Sequence, residues 1–226
     1  MKTTNGLKWV YLILLSLIWG TSFILIKKSL LGLNAYQLGA LRTIITGLFL
    51  FIAGFKSIKS IKKESWKWIA LSGFMGSFFP SFFFAIAETE IDSAVASILN
   101  SLVPLNTVLL GAAIFKIATN TRQVLGVIIG FIGTSILIMK GAELNPNQNY
   151  LYATFVILST IMYAINVNII KKYLQDVKPL SIATGNYVVI FLPALVILAF
   201  TDFFKVENFK NNTFLTSIGF VAVLSF

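Results

Sequence analysis

The chain has 226 residues, of which 57% are hydrophobic and only 12% charged, a balance that no soluble core of this size absorbs. Neither Cys nor His occurs, which removes disulfides, thiolate nucleophiles, Cys or His metal sites and every Ser–His or His–Asp relay. The net charge of +10 is explained by basic loops on one face of a membrane protein, so the expected class is all-α integral membrane, with no cofactor and no nucleic-acid partner.

Taken in chain order, the first apolar run, 9–26, is long enough to cross about 30 Å of hydrocarbon at about 1.5 Å per residue. Lys2 and Lys8 precede it as in a signal peptide. No small-residue cleavage site follows, however, and Lys27 and Lys28 come directly after, so it reads as a span. The second span is predicted over 35–55 and leads into a basic loop at 56–67. The third covers 68–87 and is followed by Glu88, Glu90 and Asp92; the fourth covers 93–115 and the fifth 123–139. A polar stretch at 145–149 separates this half from a sixth span at 150–170 and a seventh at 180–199. An eighth apolar run begins at 214 and is expected to be partial, since the 13 residues to Phe226 are too few to span.

With the N-terminus inside, the inner segments carry twelve basic residues: Lys2, Lys8, Lys56, Lys59, Lys62, Lys63, Lys67, Lys116, Arg122, Lys171, Lys172 and Lys178. The outer segments carry five: Lys27, Lys28, Lys140, Lys205 and Lys210. A cytoplasmic N-terminus is therefore expected. Lys27 and Lys28 sit on the side the rule disfavours, so another constraint must hold them there.

The stretch 13–30 recurs 144 positions later as 157–174 with no gap. Six of the eighteen positions are identical: Ile13/Ile157, Leu14/Leu158, Ile26/Ile170, Lys27/Lys171, Lys28/Lys172 and Leu30/Leu174. Trp19 falls over Tyr163, Gly20 over Ala164, and the register continues to Ala35 over Pro179. Five spans separate the copies, an odd number, so the second copy crosses in the opposite direction. That is the inverted repeat of many secondary transporters. It also accounts for the lysine pair, because the same helix end is used on opposite faces.

These residues resemble the EamA-type transporters of the drug/metabolite transporter superfamily. The resemblance rests on W-G-T-S-F at 19–23 with Lys27, on the Arg of A-L-R-T at Arg42, and on A-V-A-S-I-L at 94–99 ahead of Pro104. Q-V-L-G at 123–126 and the downstream Gly133 complete it. It implies ten spans in two five-helix repeats. On that reading residues 1–144 form the first repeat, and 145–226 hold helices 6 and 7 and the start of 8, an incomplete second repeat. One departure is plain: a Glu usually follows the fourth helix, and Phe115-Lys116-Ile117 has none.

Polar groups at membrane depth are costly and default to function. Arg42 is seven residues into span 2, roughly 10 Å below its start. It can snorkel to headgroups, or face the interior and attract an anionic or zwitterionic metabolite. Its counterpart in the second copy is Asn186, so such a site is asymmetric. Pro104 withdraws the hydrogen bond to the Asn100 carbonyl at mid-depth, which predicts a kink there and either a substrate contact or a neighbouring helix to satisfy it. Asn106 and Thr107, one turn on, carry a weaker form of this argument. Trp19 is too deep for an interfacial anchor and either stacks on substrate or packs in a core. Asn166 and Asn168 replace Ser22 and Ile24 of the first copy and serve a site or interhelical hydrogen bonds. The phenylalanines at 74, 78, 79, 82, 83 and 84 read as lipid-facing or packing residues. Small residues every fourth position at 35–47, 93–101 and 126–130 permit close helix contacts within one chain or in a homodimer.

The sequence thus reads as a transporter of a small metabolite in the cell (inner) membrane, working by alternating access around a midplane site, and not as an enzyme. The substrate-binding candidates are Trp19, Arg42, Asn100, Pro104 and Asn166. No Asp or Glu is placed deep in a span, with Glu88 at the end of the third, so a buried-carboxylate proton relay has no candidate and a facilitator or another coupling route is open. The alternative is a non-transporting interaction or assembly protein, or an inactive fragment of such a transporter.

Overall fold

The computed structural model describes residues 5–144 and 146–225. Lys2 of the charge count and Asn145 of the polar separator lie outside the described residues, as does the side chain of Lys8. Among the described residues the backbone is helices and short connections: α1 (Asn5–Ser29), α2 (Ala35–Ile58), α3a (Trp66–Gly73) and α3b (Phe79–Glu90), α4a (Ser93–Asn100) and α4b (Leu102–Ala113), α5 (Thr121–Leu144), α6 (Ala153–Tyr173), α7 (Pro179–Ala199) and α8 (Asn212–Ser225). Seven of these units are long and apolar enough to cross a membrane, whereas α8 is shorter. The protein is a multi-pass, all-α membrane protein. One end of the bundle carries the basic 56–67 loop; α1 and α3b finish at the other, which also holds Gln148 against Asp92.

Two spans are less regular than expected, each because of a proline. The third is not one α-helix: a five-residue π segment, Phe74–Phe78, joins α3a to α3b. Pro80 has no N–H for the carbonyl at 76, and the widened turn takes up that missing bond at the start of α3b. In the fourth span the break falls at Ser101, not at Pro104 as expected. Breaking there puts Pro104 in the first turn of α4b, where a helix makes no use of the missing N–H.

Helices that align in the sequence repeat take related places in the fold. α2 lies against α7, its own counterpart. α3 rests on α6 and α7, and α8 rests in the mirrored place on α1 and α2. α4b packs on α6, and the equivalent face of α1 is bare: 11% of that span is buried against 50% of the third. The small stripe of α2 is used inside the chain, since a Cβ at Gly39 would lie 2.6 Å from the Phe82 ring and one at Gly47 2.8 Å from Phe191. Gly126 and Gly130 on α5 meet nothing within 4 Å. Among the six phenylalanines of the third span none is exposed, so they pack and do not face lipid. Phe78, Phe82 and Phe84 are buried in the main core with Leu38, Leu41 and Ile44 of α2.

The lysine pairs have a structural use at both ends. Lys27 Nζ donates to the Glu88 and Ile91 carbonyls at 2.7 and 3.0 Å, and Lys172 Nζ to the Phe115 carbonyl at 2.8 Å. In each case an ammonium satisfies carbonyls that a neighbouring helix leaves unpaired at its C-terminal end. This constraint, not topology, accounts for Lys27.

Candidate functional site

A cavity of about 540 Å³ lies between the two repeats. α1 contributes Trp19, Ser22, Phe23 and Ile26; α6 contributes Tyr163, Asn166 and Val167. Three of these are repeat-equivalent pairs, 19/163, 22/166 and 23/167, so the cavity sits on the relation between the halves. Arg42 from α2, Gly76 from the π segment, Phe84 from α3b, and Asn100 and Pro104 from the broken fourth span complete its wall.

All five sequence-predicted residues therefore reach one space, by different routes. Arg42 is partly buried, and among the described residues its guanidinium makes no ion pair or hydrogen bond. Asn100 turns inward at the end of α4a, with its Oδ1 buried and without a partner. Pro104 stands one turn further, beyond the break. Asn166 accepts from Ser72 Oγ at 2.6 Å, and the Asn186 amide lies 3.2 Å from the same hydroxyl. Asn186, the counterpart of Arg42, is thus held within the wall while Arg42 stands free at the cavity. Trp19 is 63% exposed, so it is not packed in a core; it stands where the cavity meets the uncovered face of α1.

Asn106 and Thr107 do not share the site. Asn106 Nδ2 donates to Thr160 Oγ1 at 2.9 Å, and Asn168 Nδ2 donates to the Thr107 carbonyl at 3.0 Å. These bonds tie α4b to α6 and carry the interhelical role expected of such groups.

Residues 7–139 match the profile of the EamA-like transporter family, more than half of the chain. The chain belongs to the EamA-like transporter family. A curated relative from Archaeoglobus fulgidus, named only as an uncharacterized transporter, is 27% identical over 187 residues. That match covers 82% of this chain, and the chain spans 65% of the relative's length. No solved structure matches.

In this EamA-like chain the motif residues divide by role. The Gln of Q-V-L-G, Gln123, forms a reciprocal cap with Asn120, N–H to Oδ1 at 2.9 Å and N–H to Oε1 at 3.0 Å. Asn34 and Gln37 repeat that cap at the start of α2. Lys116, where the family's usual Glu is missing, is left-handed, with φ of 58°, and closes α4b. These positions set helix ends; Trp19 and Arg42 set the cavity.

Sequence reasoning missed the aromatic residues that line the cavity toward α3b. Phe23 and Phe84 meet edge to face with centroids 5.6 Å apart, and Phe84 stacks on Tyr163 at 6.1 Å. One helical turn beyond Phe84 is Glu88, wholly buried, where the sequence placed it only in an acidic link at the end of the third span. Its Oε2 lies 2.8 Å from Ser93 Oγ, and its Oε1 has no partner. The signal was the four-residue spacing from Phe84 to Glu88, which keeps both on one helix face. Gly76 was missed as well: it leaves the room that Asn166 occupies.

Proposed function

We propose that this protein is a secondary transporter of a small anionic or zwitterionic metabolite, working by alternating access around the cavity between its repeats. The observation that carries this reading is a pair of free groups lining one cavity: among the described residues, a guanidinium with no counter-ion and a buried amide oxygen with no donor. Burying either without a partner is unfavourable, so both are groups whose natural complement is a ligand. A carboxylate or phosphate suits Arg42, and an ammonium, hydroxyl or amide N–H suits Asn100 Oδ1. Trp19, Phe84 and Tyr163 supply an apolar wall, and the volume lies in the range of small-molecule sites.

In this reading the protein lies in the cell (inner) membrane with the N-terminus and the 56–67 loop cytoplasmic, as the basic bias supports. Residues 1–144 act as the first repeat and 145–226 as part of a second. In support, the α4b–α6 packing has no mirror on α1, whose equivalent face at Ser16, Gly20 and Ile24 is uncovered.

The test is a thermal-shift screen of small carboxylates, phosphates and amino acids on the purified protein, followed by flux of the hits in proteoliposomes. An anionic or zwitterionic hit is expected to lose ten- to a hundredfold in affinity with Arg42→Gln, about the value of a hydrogen bond to a charged group. Flux in a sealed vesicle separates a transporter from a membrane assembly protein. Hits restricted to cations, or affinity indifferent to Arg42→Gln, would refute the assignment.

A further inference from the structure

Hydrogen bookkeeping at the closed end of the cavity identifies a second site. Ser93 Oγ lies 3.0 Å from the Phe23 carbonyl of α1 and 2.8 Å from Glu88 Oε2 of α3b. A serine hydroxyl owns one hydrogen and can donate it once. If Glu88 is a carboxylate, two acceptors compete for that hydrogen and only one of the two contacts is a hydrogen bond, while Oε1 lacks a partner in either case. If Glu88 carries a proton, both contacts are made: the acid donates to Ser93 Oγ, and Ser93 donates to the Phe23 carbonyl. The arrangement is complete only with one added hydrogen.

The charged and titratable groups around Glu88 do not replace that hydrogen. Lys27 of α1 is the nearest candidate, but its ammonium bonds the Glu88 and Ile91 backbone carbonyls and makes no ion pair with the carboxyl group. Arg42 of α2 lines the cavity and, among the described residues, makes no ion pair or hydrogen bond with Glu88. From α6, Tyr163 stacks on Phe84, one turn away. The tyrosines of the 150–152 turn also pack on this helix, Asp92 is tied to Gln148, and Glu90 is exposed.

We propose that Glu88 and Ser93 form a proton-binding latch that holds α1 against α3b and α4a and closes this end of the cavity. When the proton leaves Glu88 for water, Ser93 turns its hydrogen to the carboxylate and the Phe23 carbonyl loses the bond that ties α1 to α4a. α1 is the element suited to respond, because so little of it is buried. Its Phe23 ring would draw away from Phe84 and open the aromatic contact. The use of this latch to couple proton movement to transport rests on the function proposed above; the latch itself does not.

The absence of Cys makes the test direct. Lys28→Cys and Ala94→Cys, both at exposed positions, take spin labels on α1 and α4a. Their separation is measured in nanodiscs between about pH 5 and about pH 9, a window above the ordinary carboxyl range in which only buried carboxyl groups titrate. A longer-distance population is expected to grow as pH rises. Glu88→Gln, whose amide N–H stands in for the acid proton, is expected to abolish the response and hold the short distance. Ser93→Ala is expected to show the long distance at every pH, and Ser93→Thr to keep the response. If Glu88→Gln fails to fold, the two Ser93 variants decide. A distance unchanged with pH, a response surviving in Glu88→Gln, or one that follows sodium instead of pH would overturn the latch. A working latch with no flux of any solute would overturn the transport reading and leave the latch standing.

Discussion

Gly76→Ala offers the sharpest test of how the cavity wall is built. A Cβ built on Gly76 runs into Asn166 Nδ2 and lies 2.6 Å from Asn166 Cγ, with Oδ1 at 3.1 Å. No real Cβ tolerates this, so either α6 moves from the π segment or Asn166 swings off Ser72 and breaks their 2.6 Å hydrogen bond. Overpacking of this kind costs about 1–3 kcal/mol and the lost bond about 1 more, so the substitution should destabilise by about 2–4 kcal/mol. For a chain of this size that corresponds to a fall in melting temperature of roughly 6–12 °C. The measurement is thermal unfolding of purified protein followed by size-exclusion chromatography. Gly20→Ala is the internal control, since nothing lies within 4 Å of its added carbon, and its effect should stay within about 1 kcal/mol. Adding Asn166→Ala to Gly76→Ala removes the obstacle and should recover most of the loss. Equal effects at Gly20 and Gly76, or no recovery in the double variant, would refute the reasoning.

Asn100→Ala should lower flux at least tenfold with little change in melting temperature, because it deletes a buried oxygen that has no partner; Asn106→Ala should do the reverse, losing about 1 kcal/mol of stability with its bond to Thr160 while flux per folded molecule is kept. Reconstituted flux beside thermal unfolding separates the two. Lys59→Cys and Glu90→Cys, at exposed positions on opposite ends of the bundle, should react with an impermeant reagent from opposite sides of the membrane, with Lys59 inside; labelling of both from outside would reverse the orientation argument. Lys116→Gly should stabilise the protein by about 1 kcal/mol, since only glycine holds the left-handed φ of 58° without strain, and a loss of stability would point to a contact made by the lysine.

The spans and their number were legible in the sequence because a bilayer imposes a local rule: about 20 apolar residues in a row, read from composition alone. The repeat was legible for a similar reason, since related positions keep their register whether or not they touch. Membrane-depth polarity picked out Trp19, Arg42, Asn100, Pro104 and Asn166, and the fold brings all five to one cavity. What the sequence could not do was rank polar groups within one helix. Asn100 and Asn106 look alike in the chain, yet at about 100° per residue they point to different faces, and only the position of α6 makes one a bonded strut and leaves the other free. Pro104 announced a broken helix but not its place, because a missing N–H can be absorbed at any of several preceding residues; packing put the break at Ser101.

Glu88 marks the limit most clearly. In sequence it belongs to a run, Glu88, Glu90 and Asp92, that reads as an acidic link after the third span. In the fold Glu90 is exposed and Glu88 is wholly buried, because α3b carries Glu88 one turn past Phe84 under the cover of α1 and α4a. The sequence determined which segments are long and apolar enough to enter the membrane, since that follows from each segment's own hydropathy. The tertiary structure alone decided which polar atoms were left without partners, because partnership depends on residues 5, 61 or 94 positions away that only packing brings within 3 Å.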